Sequence, residues 1–212
     1  MRPAGDNLPR EIMTALIAPA APHVTLTRTF FRLAMPIGVF LLTLEFAYLV
    51  MSPLPYDAVG YLIGRDFVNT WMGGAIALTG DPTPYFDYAT YNNALRAAFG
   101  ADYPWHVWSY PPHLLLFTWP LALMPYIVAY VLWCVVGIFV YLAVVADGER
   151  QLQHLVLLII SPAVLVNIFS GQNGFVTAAL FIGALTQLDR RPLFAGMLFG
   201  LMTIKPQLGV LV

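Results

Sequence analysis

The chain has 212 residues, of which 59% are hydrophobic and only 10% are charged, and its formal net charge is −1. A soluble domain carries about 25% charged residues, so the composition excludes an ordinary soluble domain, and the near-zero charge gives no indication of nucleic-acid binding. The single cysteine excludes an internal disulfide. Because the apolar residues lie in long blocks, we predict an all-α, polytopic membrane protein.

The N-terminal region predicts a tail followed by a first span. Residues 1–30 are rich in proline, carry three arginines and lack the apolar core of a cleavable signal peptide, so we expect a cytoplasmic tail. An apolar run at about residues 31–51 predicts a signal-anchor span. Glu45 lies inside this run, and a carboxyl group within a span is a functional candidate that is either paired or protonated.

The polar segment 53–125 predicts a long outer loop with two short amphipathic helices at the membrane surface. The first helix runs from about Asp66 to Leu78, and one of its faces has the spacing i, i+3, i+4, i+7. That face carries Asp66, Asn69, Thr70 and Gly73. The second runs from about Tyr88 to Phe99, with Asp87 as its N-cap and Gly100 as its stop.

The outer loop is also dense in aromatic residues around and after the second helix. This density is typical of an aromatic belt at the level of the lipid headgroups. A sugar-stacking surface has the same composition, so both interpretations stay open. The aromatic residues are Tyr85, Phe86, Tyr88, Tyr91, Tyr103, Trp105, Trp108 and Tyr110.

The apolar run 113–124 decides the topology. A span needs about 20 residues, and this shorter run contains Pro120, so we expect it to lie in the membrane interface. All the flanking arginines of the later spans then fall on the cytoplasmic side, as the positive-inside rule requires. The alternative, in which the run crosses, places Arg150, Arg190 and Arg191 on the side of the long loop.

Four further spans are expected, at about residues 126–146, 152–169, 174–188 and 192–212. The chain stops inside the last apolar run, so we expect it to be the N-terminal part of a longer, incomplete membrane domain beginning at residue 31. With this topology the polar motifs of the chain converge on the extracytoplasmic face.

Asp66 is the leading candidate for a catalytic group. A carboxylate at a membrane surface is able to take the proton of an acceptor hydroxyl as that oxygen attacks a sugar. A departing lipid phosphate carries its own stable negative charge, so no separate acid is needed. The alternative is that Asp66 only caps the first loop helix, and the two roles can coexist.

The candidate binding groups are Lys205, Gln172, Asn173, Tyr110 and Arg65. Lys205 falls inside the last predicted span, where a charge is costly, and it offers a point charge for a phosphate; the alternative is a lysine that snorkels to the interface. Gln172 and Asn173 form a glycine-flanked break that offers hydrogen bonds to sugar or phosphate, or simply a tight turn.

Tyr110, Arg65 and two histidines complete the candidates. Tyr110 opens the interfacial run, where the following prolines also suit a helix start, and Arg65 directly precedes Asp66. His106 and His113 have no partners at metal-ligand spacing. We therefore expect neither a metal nor a cofactor.

The order of these pieces resembles glycosyltransferase family 87. The resemblance covers roughly residues 30–212, the N-terminal half of a typical member, and its motifs are weak singly but specific in order. They are Asp66-Phe67, Gly80 to Pro84-Tyr85, Tyr110-Pro111-Pro112, Ser161-Pro162, Gly171-Gln172-x-Gly and Lys205-Pro206-Gln207. Two departures are Trp71, where a tyrosine is expected, and Asn173-Gly174, where Val-Asn commonly follows.

The resemblance implies a GT-C fold and a membrane-embedded transferase of the cell membrane with its site on the extracytoplasmic side. It implies a polyprenyl-phosphate sugar donor, mannose most often, a lipid or glycan acceptor, and inversion at the anomeric carbon. Asp66 takes the position of the general base, and Lys205 is our choice for the donor phosphate. The alternative is a transporter or flippase in which Lys205 and Glu45 line a pathway, but we find no internal repeat.

Overall fold

The computed structural model describes residues 22–58, 60–148 and 152–209, and every regular element in them is helical. The helices are α1 (Pro22–Met51), α2 (Phe67–Thr79), α3 (Thr83–Phe86), α4 (Tyr88–Phe99), α5 (Leu115–Thr118), α6 (Tyr126–Gly148), α7 (Leu152–Ile159), α8 (Pro162–Ser170), α9 (Gly174–Gln187), α10 (Pro192–Leu201) and α11 (Pro206–Gly209). Short 3₁₀ turns cover Pro112–Leu114, Trp119–Leu123 and Met202–Ile204. The all-α prediction is confirmed for these residues.

Two of the described helices are long and apolar enough to cross a membrane. They are Arg32–Met51 of α1, with 20 residues, and Tyr126–Ala146 of α6, with 21 residues. At 1.5 Å per residue each is about 30 Å long, the thickness of a hydrocarbon core. The outer loop joins the C-terminal end of α1 to the N-terminal end of α6.

The predicted tail and the third predicted span differ from the observed helices. Residues 1–21 lie outside the described part, but α1 begins at Pro22, so the end of the predicted tail is helical. The interval 152–169 is two helices, because Ser161 has an extended backbone (φ −66°, ψ 145°) before Pro162. Proline disfavours helical geometry in the residue before it, and the Ser161 hydroxyl caps α8 at the Val164 amide.

Of the last two predicted spans, 174–188 is found as α9 within one residue of its predicted ends, whereas 192–212 is interrupted. Helix α9 has 14 residues, or about 21 Å of rise, and α10 ends at Leu201. Lys205 then has an extended backbone (φ −117°, ψ 91°) before α11 begins. Lys205 therefore lies in a non-helical connection between two helical segments and not inside a helix. Residues 210–212 fall outside the described part.

The two loop helices are confirmed within one residue of their predicted ends. The Asp87 carboxylate accepts a hydrogen bond from the Thr90 amide at 2.7 Å and caps α4 as expected. The run 113–124 is an irregular series of short turns, here called the interfacial segment (Pro112–Leu123). It packs beneath Gly74 of α2, where an added Cβ would lie 3.1 Å from the Thr118 carbonyl oxygen.

The main hydrophobic core lies where the outer loop packs against the first half of α6. Phe67, Val68 and Leu95 have no exposed surface, and Tyr91 is 1% exposed. The aromatic rings of Trp71, Phe99, Tyr103 and Tyr126 pack against one another in this core. Among the loop aromatics, Tyr91 belongs to this core and Tyr103 packs against it, whereas Phe86, Tyr88 and Trp105 remain exposed.

Candidate functional site

The backbone of the outer loop docks directly onto the end of α8 beside Asp66. The Asp66 amide donates to the Ser170 carbonyl at 2.8 Å, and the Gly64 amide donates to the Phe169 carbonyl at 3.3 Å. Gly64 and Gly171 both have positive φ, 72° and 66°. A Cβ on Gly171 would lie 2.6 Å from Cβ of Phe67, so glycine permits this close approach.

Three aromatic side chains of α6 hold the two docked segments together. The Tyr126 hydroxyl donates to the Ile63 and Gly64 carbonyls at 2.7 and 2.8 Å. The Tyr130 hydroxyl donates to the Ile168 carbonyl at 2.6 Å, and the Trp133 indole to the Gln172 carbonyl at 3.3 Å. Their i, i+4, i+7 spacing places all three on one helix face, a signal that our sequence reasoning missed.

This docking brings three of the candidate residues into one hydrogen-bonded series, which we call the polar trio. The Gln172 side-chain amide donates to the Asp66 carboxylate, and Lys205 Nζ donates to Gln172 Oε1 at 2.7 Å. Both ends of the Gln172 amide are therefore bound, which fixes its orientation. The trio joins residues far apart in sequence from the outer loop, the α8–α9 break and the end of α10.

Asp66 does not cap α2. Its side chain makes no capping hydrogen bond to the first turn, and it is half-buried. Asn69, which was predicted to share a helix face with Asp66, instead holds the loop together. It donates to the Val107 carbonyl at 3.0 Å and accepts from the Tyr91 hydroxyl at 2.6 Å. The interpretation of Asp66 as only a cap is wrong, because its carboxylate points to Gln172.

Tyr110 lies within the electrostatic reach of the trio. Burial, and secondarily the Asp66 carboxylate, raise the pKa of Tyr110 to about 12. Its hydroxyl therefore stays protonated near neutral pH and is available as a hydrogen-bond donor. The ring packs edge-on against Trp108 at a centroid separation of 5.7 Å.

Two candidate residues have different surroundings from the trio. The Arg65 guanidinium pairs with the buried Asp57 carboxylate at 3.1 Å and lies 4.2 Å from the Tyr61 ring centroid. Asn173 is 2% exposed, and neither its side-chain oxygen nor its nitrogen has a hydrogen-bond partner among the described residues.

The remaining titratable candidates do not join the trio in any described contact. One Glu45 oxygen is buried on α1 without a hydrogen-bond partner among the described residues. His113 Nε2 lies 3.4 Å from the Thr203 hydroxyl, which connects the interfacial segment to the end of α10. In the described part of the chain no three metal-ligating side chains cluster together.

An apolar groove of about 330 Å³ adjoins the trio. It lies between the interfacial segment, α6, α9 and the end of α10. Trp133, which donates to the Gln172 carbonyl, and Ile204, which precedes Lys205, belong to its lining. The remaining lining residues are Leu114, Phe117, Leu121, Leu132, Val136, Val176, Leu180 and Leu201.

The comparisons with known proteins give one match. None of the curated proteins and none of the solved structures is significantly similar to the chain. The family model "Glycosyltransferase family 87" matches residues 108–212. The matched part contains Tyr110, Gln172, Asn173 and Lys205, whereas Asp66 precedes it. The chain therefore belongs to glycosyltransferase family 87.

Proposed function

We propose that this glycosyltransferase moves a hexose, mannose in the first instance, from a polyprenyl-phosphate sugar to a lipid or glycan acceptor. Asp66 acts as the general base on the extracytoplasmic face of a multi-pass protein with a GT-C-like fold. The observation that carries the proposal is the polar trio: a carboxylate and an ammonium group bridged by one fixed amide.

The reaction needs a base at one end and a charge-compensating group at the other. Asp66 takes the proton from an acceptor hydroxyl while that oxygen forms a bond to the anomeric carbon. The bond between the anomeric carbon and the phosphate oxygen breaks, and the electron pair leaves on the lipid phosphate. Lys205 stabilises this departing negative charge. Attack opposite the leaving group inverts the anomeric configuration.

Gln172 positions the two charged groups. Without the amide between them, Asp66 and Lys205 would be free to form a direct ion pair, which would occupy the base and the phosphate-binding cation together. The amide accepts from Lys205 and donates to Asp66, so each charge is oriented while the rest of its hydrogen-bonding capacity stays available. Tyr110, and Asn173 with its unpartnered amide, are the proposed donors to sugar or phosphate oxygens.

The apolar groove supports a lipid-linked donor. A polyprenyl chain is a long hydrocarbon whose burial is favoured in an apolar channel, and this groove adjoins Lys205 through Ile204. A phosphate held by Lys205 therefore has an apolar path next to it for its lipid. A water-soluble nucleotide sugar has no hydrocarbon chain that would occupy the groove.

The proposed sidedness follows from the ends of the helices. Asp66, Gln172 and Lys205 meet at the end of the structure where α1 stops and α6 begins. Arg32 is on the other side of the apolar part of α1, and Arg190 and Arg191 form the turn after α9. Basic residues prefer the cytoplasmic side, and this preference supports an extracytoplasmic position for the trio. Family membership favours this transferase over the transporter alternative.

The test is Asp66→Asn in the complete protein, assayed with polyprenyl-phosphate mannose. Loss of a general base is expected to lower transfer by a factor of about 10²–10⁴, with unchanged expression and thermal unfolding. Asp87→Asn is the matched control, since Asp87 is a loop carboxylate that caps a helix; its transfer should stay within about twofold, because asparagine is also a good cap. Full transfer by Asp66→Asn would disprove the assignment.

A further inference from the structure

A second pocket lies in the outer loop and is separate from the apolar groove. It has a volume of about 330 Å³, which is at the lower end of the roughly 300–1,000 Å³ of small-molecule sites. Its walls are the turn 60–65 before α2 and the segment 99–106 after α4. No residue of the polar trio or of the apolar groove lines this pocket, although the lining residue Arg65 directly precedes Asp66.

The pocket is lined by aromatic rings and polar groups together. Phe99 and Tyr103 stack at a centroid separation of 5.4 Å, and the half-exposed Tyr61 ring lies beneath Arg65. The Nδ1 atom of His106 is buried and has no hydrogen-bond partner among the described residues. An unpartnered buried polar atom is costly, so the described residues leave hydrogen-bonding capacity unused in this wall of the pocket.

The charges of the pocket do not favour an anion. The Arg65 guanidinium is already paired with the Asp57 carboxylate at 3.1 Å. The exposed Asp102 adds a negative charge to the same walls. A neutral ligand that offers several hydroxyl groups and an apolar face fits these walls better than a phosphorylated ligand.

We propose that this pocket binds a neutral hexose ring of the acceptor, which makes the acceptor a carbohydrate and not a simple lipid alcohol. The apolar face of the ring lies on the Tyr61 or Tyr103 aromatic surface. Its hydroxyls bond to Asp102 and to the N–H groups of Arg65 that do not contact Asp57. This inference rests on the proposed transferase function, because it supplies the acceptor for Asp66.

The position of the pocket suits an acceptor. Arg65 is directly followed by Asp66, so the wall of the pocket continues into the proposed base. Burial raises the pKa of Tyr103 to about 12, with smaller contributions from Tyr56 and Asp66 in the same direction and from Arg65 in the opposite direction, so the Tyr103 hydroxyl stays protonated near neutral pH. A glycan anchored here would present a neighbouring hydroxyl towards Asp66, while the donor occupies the opposite side.

The experiment measures binding of methyl α-D-mannopyranoside and methyl α-D-glucopyranoside by saturation-transfer NMR, with the complete protein and without donor. We expect saturation of at least one glycoside by the wild type. Asp102→Asn should weaken that binding about tenfold through loss of a charged hydrogen bond. Tyr103→Phe keeps the packing on Phe99 and should weaken binding less. Asp189→Asn, an exposed carboxylate in the turn after α9, should leave binding unchanged.

Four results would overturn the inference. They are no saturation of either glycoside, unchanged binding by Asp102→Asn, equal weakening by Asp189→Asn, and tighter binding of mannose 6-phosphate than of the neutral glycosides. Failure of the transferase proposal is a different observation, namely full transfer by Asp66→Asn. Because the binding measurement needs neither donor nor turnover, the two failures are distinguishable.

Discussion

The outer loop and the long helices bury their apolar residues in different ways. In the loop, Phe67 and Leu95 are completely enclosed by protein, as in a soluble domain. On the helices, Phe40 of α1 and Phe139 of α6 are 65% and 71% exposed. Apolar side chains remain on such a surface without cost only where lipid covers them.

The difference shows which part of the molecule can hold functional side chains in precise positions. A close-packed core fixes side chains in single positions, and the loop core extends through Phe67 to the rings of Tyr126, Tyr130 and Trp133 at 5.6–6.0 Å. Asp66 directly precedes Phe67. The candidate base is therefore positioned by a protein core, while the apolar groove lies among the helices.

The comparison is tested most strongly by removing one ring from each region. Phe67→Ala should lower the free energy of unfolding by about 3–5 kcal/mol, because it leaves a cavity in the core. Phe139→Ala removes the same atoms from a surface covered by lipid or detergent and should cost less than about 1 kcal/mol. Thermal unfolding in one detergent measures both. Similar losses for the two variants would contradict the distinction.

The second prediction concerns the contact of the outer loop at residues 64–66 with the end of α8 at residues 169–171, here called the seam. Gly171→Ala should destabilise the protein by about 2–4 kcal/mol, since a Cβ would lie 2.6 Å from Phe67 Cβ and the φ of 66° is unfavourable for alanine. Transfer should fall as well, because Gln172 is displaced. Chemical denaturation and the transfer assay measure the two effects.

Gly60→Ala is the matched control for the seam. Gly60 also has a positive φ, 89°, but apart from its chain neighbours no atom of the described residues lies within 4 Å of its added Cβ. The substitution therefore carries only the backbone strain, about 1 kcal/mol. If Gly171→Ala cost no more than Gly60→Ala, the close approach of the loop to α8 would not matter for stability.

Local features of the fold could be predicted from the sequence. The ends of α4 follow from Asp87 and Gly100, because capping depends on residues only a few positions apart. Pro162 and Pro206 also predict the interruptions of the helices at Ser161-Pro162 and Lys205-Pro206. At Ser161-Pro162 we nevertheless predicted a continuous span over residues 152–169, because long apolar composition was given more weight than the conformational restriction before proline.

The site could be predicted only in part. The topology predicted from the positive-inside rule placed Asp66, Gln172 and Lys205 on one face, but no local rule says that Gln172 bridges the other two. Arg65 was grouped with the trio because it is adjacent in sequence, whereas its charge is taken up by Asp57. Such pairings depend on how distant segments dock, which is a tertiary property.

The smallest expected effect concerns one hydroxyl at the seam. Tyr130→Phe keeps the ring that packs on Phe67 but removes the 2.6 Å hydrogen bond to the Ile168 carbonyl, which keeps its hydrogen bond from the Gly171 amide at 3.0 Å. The expected loss of stability is about 1 kcal/mol. Tyr88→Phe, at an exposed position on α4, should change stability by less than about 0.5 kcal/mol. Thermal unfolding of both variants in the same detergent measures the contrast, and equal melting temperatures would show that α6 does not stabilise α8 through this hydroxyl.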